Sequence, residues 1–110
     1  MIVSSPTPDN PWETGTFTYT ANRFTSYADI AATNIGGKTG FVDHGQYTAN
    51  IFDTLGVTVV DAFYPSDHTH TSPAGADVVA KAFVKGVLCA NDALASYVKN
   101  TTASVEGSCI

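Results

Sequence analysis

The order in which short apolar runs alternate with amphipathic segments constrains the fold of this chain most. Residues 1–5 are typical of a short buried strand, and apolar positions within 22–35 recur at steps of three and four residues, which predicts a helix. Residues 40–43 predict a second strand, and residues 47–55 predict a second helix that ends at a glycine. Strand, helix, strand and helix in this order predict an α/β fold with parallel strands.

The remaining segments are a long loop, one ambiguous run and a third helix. Three prolines in the N-terminal loop exclude regular structure until about residue 20. The β-branched run 57–62 fits a strand or an extended loop packed against the body equally well. Ser72 as N-cap and a proline at the first helical position predict a helix over 73–90. A short amphipathic segment follows at 91–98.

The predicted sheet is too small for a complete α/β domain. Parallel strands are normally buried on both sides, and two or three short strands leave at least one edge without a neighbour. We therefore expect residues 1–110 to be the C-terminal part of a single domain whose first half lies outside this chain. The first residues have neither a basic start nor an apolar core, so no secretory signal is expected within the chain.

Charge and hydropathy argue against two classes of partner. Ten acidic residues against five basic ones give a net charge of -5, and the cations are scattered along the chain. A nucleic-acid groove needs clustered positive charge. The longest apolar runs are far shorter than the roughly 20 residues that span a bilayer. We expect neither nucleic acid nor a membrane as a partner.

The two cysteines and one sequon bear on the compartment. Cys89 and Cys109 lack a metal-ligand spacing, and they are either a disulfide that ties down the C-terminal tail or two unrelated buried thiols. A disulfide would stabilise the fold by about 3 kcal/mol through loop closure. Residues 100–102, Asn-Thr-Thr, form an N-glycosylation sequon between the cysteines, which favours a secreted parent protein.

The segment before the third helix holds the candidate chemistry. Residues 65–73 contain two of the three histidines and one carboxylate. Asp67 lies three positions before His70, so the loop can fold back and let the carboxylate accept a hydrogen bond from one ring nitrogen. The other ring nitrogen then faces outward as a general base, with its tautomer held by the aspartate. The pair would form two thirds of a nucleophilic triad.

Two other interpretations of this segment remain open from its spacing. His68 and His70 lie on one face of an extended segment, which suits a metal, but a zinc site needs three or four ligands, so His44 or Asp67 would have to contribute. In the simpler interpretation Asp67 caps a turn and the histidines are surface residues.

Four segments carry a resemblance to a known family. Asp-His-Thr-His at 67–70, followed by Thr-Ser-Pro-Ala-Gly-Ala, resembles the D-x-x-H block of the SGNH (GDSL-like) hydrolases, and most narrowly that of fungal rhamnogalacturonan acetylesterases. The run at 3–17, Phe-Val-Asp-His at 41–44 and the two-cysteine tail are also similar to that group. A D-x-x-H alone is a weak signal, whereas four segments in the same order across essentially the whole chain are a specific one.

The resemblance implies a three-layer α/β/α SGNH-hydrolase (flavodoxin-like) fold and a secreted serine esterase acting on acetylated pectic polysaccharide, without metal or cofactor. Asp67 would orient His70, and His70 would activate the serine and then protonate the leaving alkoxide. The loop at 6–17 follows the end of a strand, where open α/β sheets bind ligands. Trp12 or Asn10 is therefore a candidate sugar contact, unless the tryptophan anchors the loop to the body.

The departures from the family matter equally. The family's Gly-Asp-Ser-like nucleophile block and its glycine and G-x-N-D oxyanion donors do not appear in this sequence. Asn91-Asp92 lacks the preceding glycine, and Ser4 and Ser5 lack the Gly-Asp framing and fit the end of a strand. The resemblance thus predicts a carbohydrate esterase chain that is inactive alone, with a serine-bearing N-terminal half as partner. A non-catalytic carbohydrate-binding or structural remnant is the alternative.

Overall fold

The computed structural model describes residues 1–90 and 93–110. In chain order its elements are strand β1 (Ile2–Ser4), helix α1 (Arg23–Ile35), strand β2 (Gly40–Val42) and helices α2 (His44–Leu55), α3 (Val57–Asp61) and α4 (Pro73–Ala90). Two 3-10 helices, Ala95–Tyr97 and Thr102–Ser104, lie in the C-terminal segment. Among the elements described, no helix has the length and apolar character needed to cross a membrane.

The two strands form a parallel sheet joined by a helical crossover. Ile2 lies opposite Gly40 and Ser4 opposite Val42, with α1 connecting the strands. The backbone N–H of Ser5 extends the pairing by donating to the Val42 carbonyl at 3.1 Å. Parallel strands require such a crossover, so the helices and the small parallel sheet are compatible with the predicted α/β fold. Within the described residues each strand has one unpaired edge.

Helix α1 forms where the periodicity predicts it, but its large apolar side chains are not covered. The helix begins after Asn22, whose side chain accepts the backbone N–H groups of its first turn. Phe24, Tyr27 and Ile30 are 54%, 57% and 54% exposed. Helix α1 contacts both strands, and Ala32 is its buried residue. The stripe that periodicity assigns to a core therefore has no covering partner among the described residues.

The β-branched run after Gly56 is helix α3, so the prediction of a strand or an extended loop there is wrong. Gly56 has φ +79°, which ends α2 and lets the chain turn directly into the next helix. Helix α3 buries Val60 completely, in a cluster with Phe52 and Tyr64. Packing in this cluster outweighs the strand preference of the β-branched residues, which depends strongly on context.

The other predicted boundaries are close to those observed. Helix α2 starts three residues earlier than predicted because the Asp43 side chain caps it by accepting the Gln46 N–H at 3.3 Å. Helix α4 starts at Pro73, and the Ser72 hydroxyl accepts the Gly75 N–H at 3.3 Å as expected of an N-cap. The predicted segment 91–98 lies partly outside the described residues, and its described part contains one 3-10 turn.

Helix α4 packs closely on α2 and β2 at a glycine. Tyr47 of α2 and Ala82 of α4 are buried in one apolar cluster. A Cβ atom on Gly86 would collide with Cγ1 of Val42 and lie 3.1 Å from Cδ2 of Tyr47. The absence of a side chain at this position therefore sets how closely α4 approaches the sheet.

The C-terminal tail is tied to the second half of α4 at two points. Cys89 and Cys109 form a disulfide with their Cα atoms 5.5 Å apart, so the interpretation as unrelated thiols is wrong. Lys85 is only 5% exposed, and its Nζ donates to the carbonyls of Thr102 at 2.6 Å and Val105 at 3.1 Å. Charge-assisted hydrogen bonds of this kind satisfy the buried ammonium group.

Candidate functional site

The candidate site lies in the loop between α3 and α4. The loop is closed at its base by a hydrogen bond from the Ser72 N–H to the Phe63 carbonyl at 2.6 Å. Helix α4 packs against the same point, since a Cβ on Gly75 would lie 2.8 Å from the Phe63 Cβ. The loop therefore leaves and rejoins the body at fixed positions.

Asp67 uses both carboxylate oxygens to organise this loop. Its Oδ1 accepts the backbone N–H groups of Thr69 at 2.8 Å and His70 at 2.7 Å. Its Oδ2 lies 2.8 Å from Nδ1 of the His70 ring. Turn capping and histidine orientation were alternatives from the sequence, yet one carboxylate does both. The cap holds the backbone in the conformation that brings the ring to the second oxygen.

The far side of the His70 ring is open. The His70 side chain is 82% exposed and the Asp67 side chain is 45% exposed. In the part of the chain that the structure describes, no group hydrogen bonds to Nε2 of His70. An ionised carboxylate only accepts, so Nδ1 carries the proton, and Nε2 of the neutral ring is left as an acceptor facing solvent.

The same hydrogen bonds lower the pKa of Asp67 to about 2. The backbone N–H of His70 contributes most, followed by the His70 side chain and the Thr69 N–H. Each of these donors stabilises the charged form of the carboxyl group. Asp67 is therefore ionised throughout the physiological pH range.

We expect the Asp67 carboxyl to titrate near pH 2 in the folded protein, below the ordinary value of 3.8. Because the folded pKa is the lower one, the ionised form favours folding above about pH 4, and this contribution is lost as pH falls toward 2. Carboxyl ¹³C NMR would follow the titration. His70→Ala should raise the midpoint partway, since the backbone donors remain. A midpoint near 4 in the wild-type chain would contradict the geometry.

The proline-rich loop after β1, residues 6–17, forms hydrogen bonds with the loop that carries Asp67 and His70. The Asn10 N–H donates to the His68 carbonyl at 2.7 Å, and the Thr69 hydroxyl donates to Oδ1 of Asp9 at 2.9 Å. His68 Nδ1 lies 3.1 Å from Oε1 of Glu13. The sequence reasoning missed the two acidic residues of this loop. In the sequence, Asp9 and Glu13 are marked only by their position beside the prolines. That position does not predict contacts with residues more than fifty positions away.

The structure favours the anchor interpretation of Trp12. Its Nε1 donates to the Phe52 carbonyl at 2.9 Å, and its ring packs against the Phe52 cluster. The Asn10 side chain donates to Oδ1 of Asp61 at 2.8 Å and accepts the Trp12 N–H at 2.9 Å. Both side chains thus hold the loop to the body.

Ser5 is a structural residue, as its sequence context predicts. It is 1% exposed, and its hydroxyl donates to Oδ1 of Asp43 at 2.7 Å while accepting the Gly45 N–H at 2.8 Å. This bonding joins the end of β1 to the start of α2. The other sequence candidate for a family block, Asn91-Asp92, lies outside the described residues.

His44 contacts helix α4 and not the histidines of the site. Its Nε2 lies 3.0 Å from the Val79 carbonyl, and its ring packs edge-on against Phe83. Burial lowers the pKa of His44 from its ordinary value. Among residues 1–90 and 93–110, no three histidine, cysteine, aspartate or glutamate side chains come together as ligands for a metal ion. The metal-site hypothesis thus gains no support here.

An open cleft lies beside the Asp67 carboxylate. Its volume is about 430 Å³. It is lined by residues of the N-terminal loop and of the loop before α4, together with the end of α3: Asn10, Glu13, Asp61, Tyr64, Asp67 and His68. The lining offers mainly hydrogen-bonding groups, which suit a hydroxyl-bearing ligand.

The geometry of Asp67 and His70 is that of the acid–base pair in enzymes that activate a nucleophile. No family model matches the chain. Among curated proteins, it is 50% identical over all 110 residues to a rhamnogalacturonan acetylesterase of Emericella nidulans. The chain spans 43% of the length of that relative. The alignment confirms the resemblance to rhamnogalacturonan acetylesterases and is consistent with the C-terminal part of an SGNH hydrolase.

Proposed function

We propose that this chain supplies the acid–base half of a carbohydrate acetylesterase that removes acetyl groups from pectic polysaccharide. The observation that carries the proposal is the 2.8 Å contact between Asp67 Oδ2 and His70 Nδ1, with the rest of the ring exposed. The identity to a protein named rhamnogalacturonan acetylesterase supports the substrate class. No metal or cofactor is needed for this chemistry.

The proposed mechanism uses His70 Nε2 as a proton carrier. As a serine hydroxyl from outside this chain attacks the acetyl carbonyl, Nε2 takes its proton. The imidazolium then protonates the sugar alkoxide, which leaves as a free hydroxyl group. Nε2 next removes a proton from water as the water oxygen attacks the acetyl-serine carbonyl. The imidazolium then returns that proton to the serine oxygen as the acyl–oxygen bond breaks, which releases acetic acid as acetate and restores the serine hydroxyl and the neutral ring. Asp67 stays ionised and stabilises the imidazolium in both halves of the reaction.

The proposed complete fold is a three-layer α/β/α domain, in which this chain provides the two strands described above and the helices that pack on them. The free edge of β1 would pair with a strand of the serine-bearing half, since parallel strands are normally buried within a sheet. The exposed stripe of Phe24, Tyr27 and Ile30 on α1 would pack against the same half. The relative extends well beyond the aligned region, so it has enough chain to supply such a half.

The proposed compartment is extracellular. The Cys89–Cys109 disulfide needs an oxidising environment to form and persist. A polysaccharide substrate of plant cell walls would be met in the same environment.

We expect the isolated chain to hydrolyse acetyl esters no faster than buffer. Among the described residues no serine hydroxyl bonds to the His70 ring, and the family's oxyanion donors do not appear in the sequence. Purified chain would be assayed on acetylated pectin fragments, with His70→Ala as the control. Turnover that His70→Ala abolishes would show that the nucleophile lies within these residues and would contradict the proposal.

A further inference from the structure

The sequon at Asn100 is a feature that the proposed function does not use. Residues 100–102, Asn-Thr-Thr, are the one place in this sequence where an asparagine is followed two positions later by serine or threonine. The threonine at the third position and the absence of proline between them meet the acceptor pattern for N-linked glycans. Sequons also occur by chance, so the structure around Asn100 determines whether the asparagine is accessible for glycosylation.

The structure leaves the sequon accessible. Asn100, Thr101 and Thr102 are all exposed, and the backbone at Thr101 is extended, with φ -94° and ψ 160°. Thr101 begins the short 3-10 helix and exchanges capping hydrogen bonds with Ser104. Lys85 holds the segment through the Thr102 carbonyl, which leaves the Thr102 hydroxyl uninvolved in that anchor. The asparagine and threonine that an oligosaccharide transferase recognises are therefore accessible to solvent.

The sequon lies at the opposite end of α4 from the candidate site. The Asp67–His70 loop joins the helix at Pro73, whereas the tail is anchored by Lys85 and Cys89. At a rise of about 1.5 Å per residue, Pro73 and Lys85 are roughly 18 Å apart along the helix. A glycan at Asn100 would therefore leave the candidate site open.

We propose that Asn100 carries an N-linked glycan when the chain passes through the secretory pathway. Nδ2 of Asn100 would form a bond to the anomeric carbon of an oligosaccharide. The donor is an oligosaccharide pyrophosphoryl lipid, whose lipid pyrophosphate leaves as the amide loses one proton. The Cys89–Cys109 disulfide supports the same route, since both modifications occur in that oxidising compartment. The proposal does not depend on the esterase function.

The test is expression of the full chain behind an added secretion signal in yeast. We expect one step of reduced electrophoretic mobility, caused by one glycan. Treatment with peptide-N-glycosidase should reverse this step and leave aspartate at position 100 in the peptide mass spectrum. Asn100→Gln and Thr102→Ala should each abolish the step. Asn34→Gln, at an exposed asparagine outside any sequon, should keep it.

Glycan transfer precedes export, so the pool retained in the endoplasmic reticulum is as informative as the secreted pool. Wild-type chain from either pool without the glycosidase-sensitive step would overturn the proposal. A step that persists in Asn100→Gln would overturn it as well. A variant that fails to fold still reports on transfer, because the retained pool is measured in the same way.

Discussion

Acetyl-ester hydrolysis is expected to fall on the order of 10⁶-fold when His70 is replaced with alanine in an active chimera. The chimera joins this chain to the part of the Emericella nidulans acetylesterase that it does not span. The loss arises because no group then accepts the serine proton or protonates the leaving alkoxide. We expect the fall in kcat, with KM nearly unchanged, since the ring acts on the transition state.

Asp67→Asn separates orientation from turn capping. The asparagine oxygen can still accept the backbone N–H groups of Thr69 and His70, so the loop should keep its shape. Its amide group would face His70 Nδ1 as a donor, which favours the tautomer with the proton on Nε2. We expect a loss on the order of 10³- to 10⁴-fold with little change in melting temperature.

His68→Ala is the matched control for both variants. His68 lies two residues from His70 and is also exposed, but its ring contacts Glu13 rather than Asp67. We expect its kcat to stay within a few-fold of the parent chimera, and any change to fall on KM, because His68 lines the cleft beside Asp67. Full activity in the His70→Ala chimera would refute the proposed role. A folded chimera with no activity at all would favour the non-catalytic carbohydrate-binding remnant.

Gly86→Ala is expected to destabilise the folded chimera by roughly 1–3 kcal/mol. An exposed helical glycine-to-alanine change normally stabilises by about 0.5–1 kcal/mol. Here the added methyl group would collide with Cγ1 of Val42 and crowd the Tyr47 ring. Relief requires α4 to move away from β2 and α2, and that movement loosens the buried cluster around Tyr47 and Ala82.

Thermal and urea unfolding would measure this effect. Ala80→Ser, at an exposed position of the same helix, is the control and should change stability by no more than about 0.5 kcal/mol. A melting temperature for Gly86→Ala at or above that of the parent would show that α4 does not pack on β2 as the structure has it.

Local signals account for most of the predicted elements. The side chains of Asn22 and Ser72 accept backbone N–H groups in the first turns of α1 and α4. Pro73 has no backbone N–H group, so it leaves no donor without a partner at the start of α4. The Asp67 and His70 geometry is equally local, because a three-residue separation lets one turn bring the side chains together. Such features are readable in sequence because their partners are near in the chain.

The features that the sequence does not predict correctly depend on contacts between residues far apart in the chain. The β-branched residues of α3 prefer strands in isolation, but the segment is a helix that buries Val60 against Phe52 and Tyr64. The buried ammonium of Lys85 depends on carbonyl groups of the tail, which no local pattern reveals. Periodicity predicts that the stripe on α1 is helical, yet it does not say which surface covers the stripe.

By itself the sequence determined the two strands, helices α1 and α4, and the possibility that Asp67 meets His70, since each follows from interactions between residues close in the chain. Only the tertiary structure decided how the proline-rich loop holds the candidate site and how Gly86 sets the approach of α4. These depend on contacts between segments tens of residues apart, where backbone direction and burial select the partner.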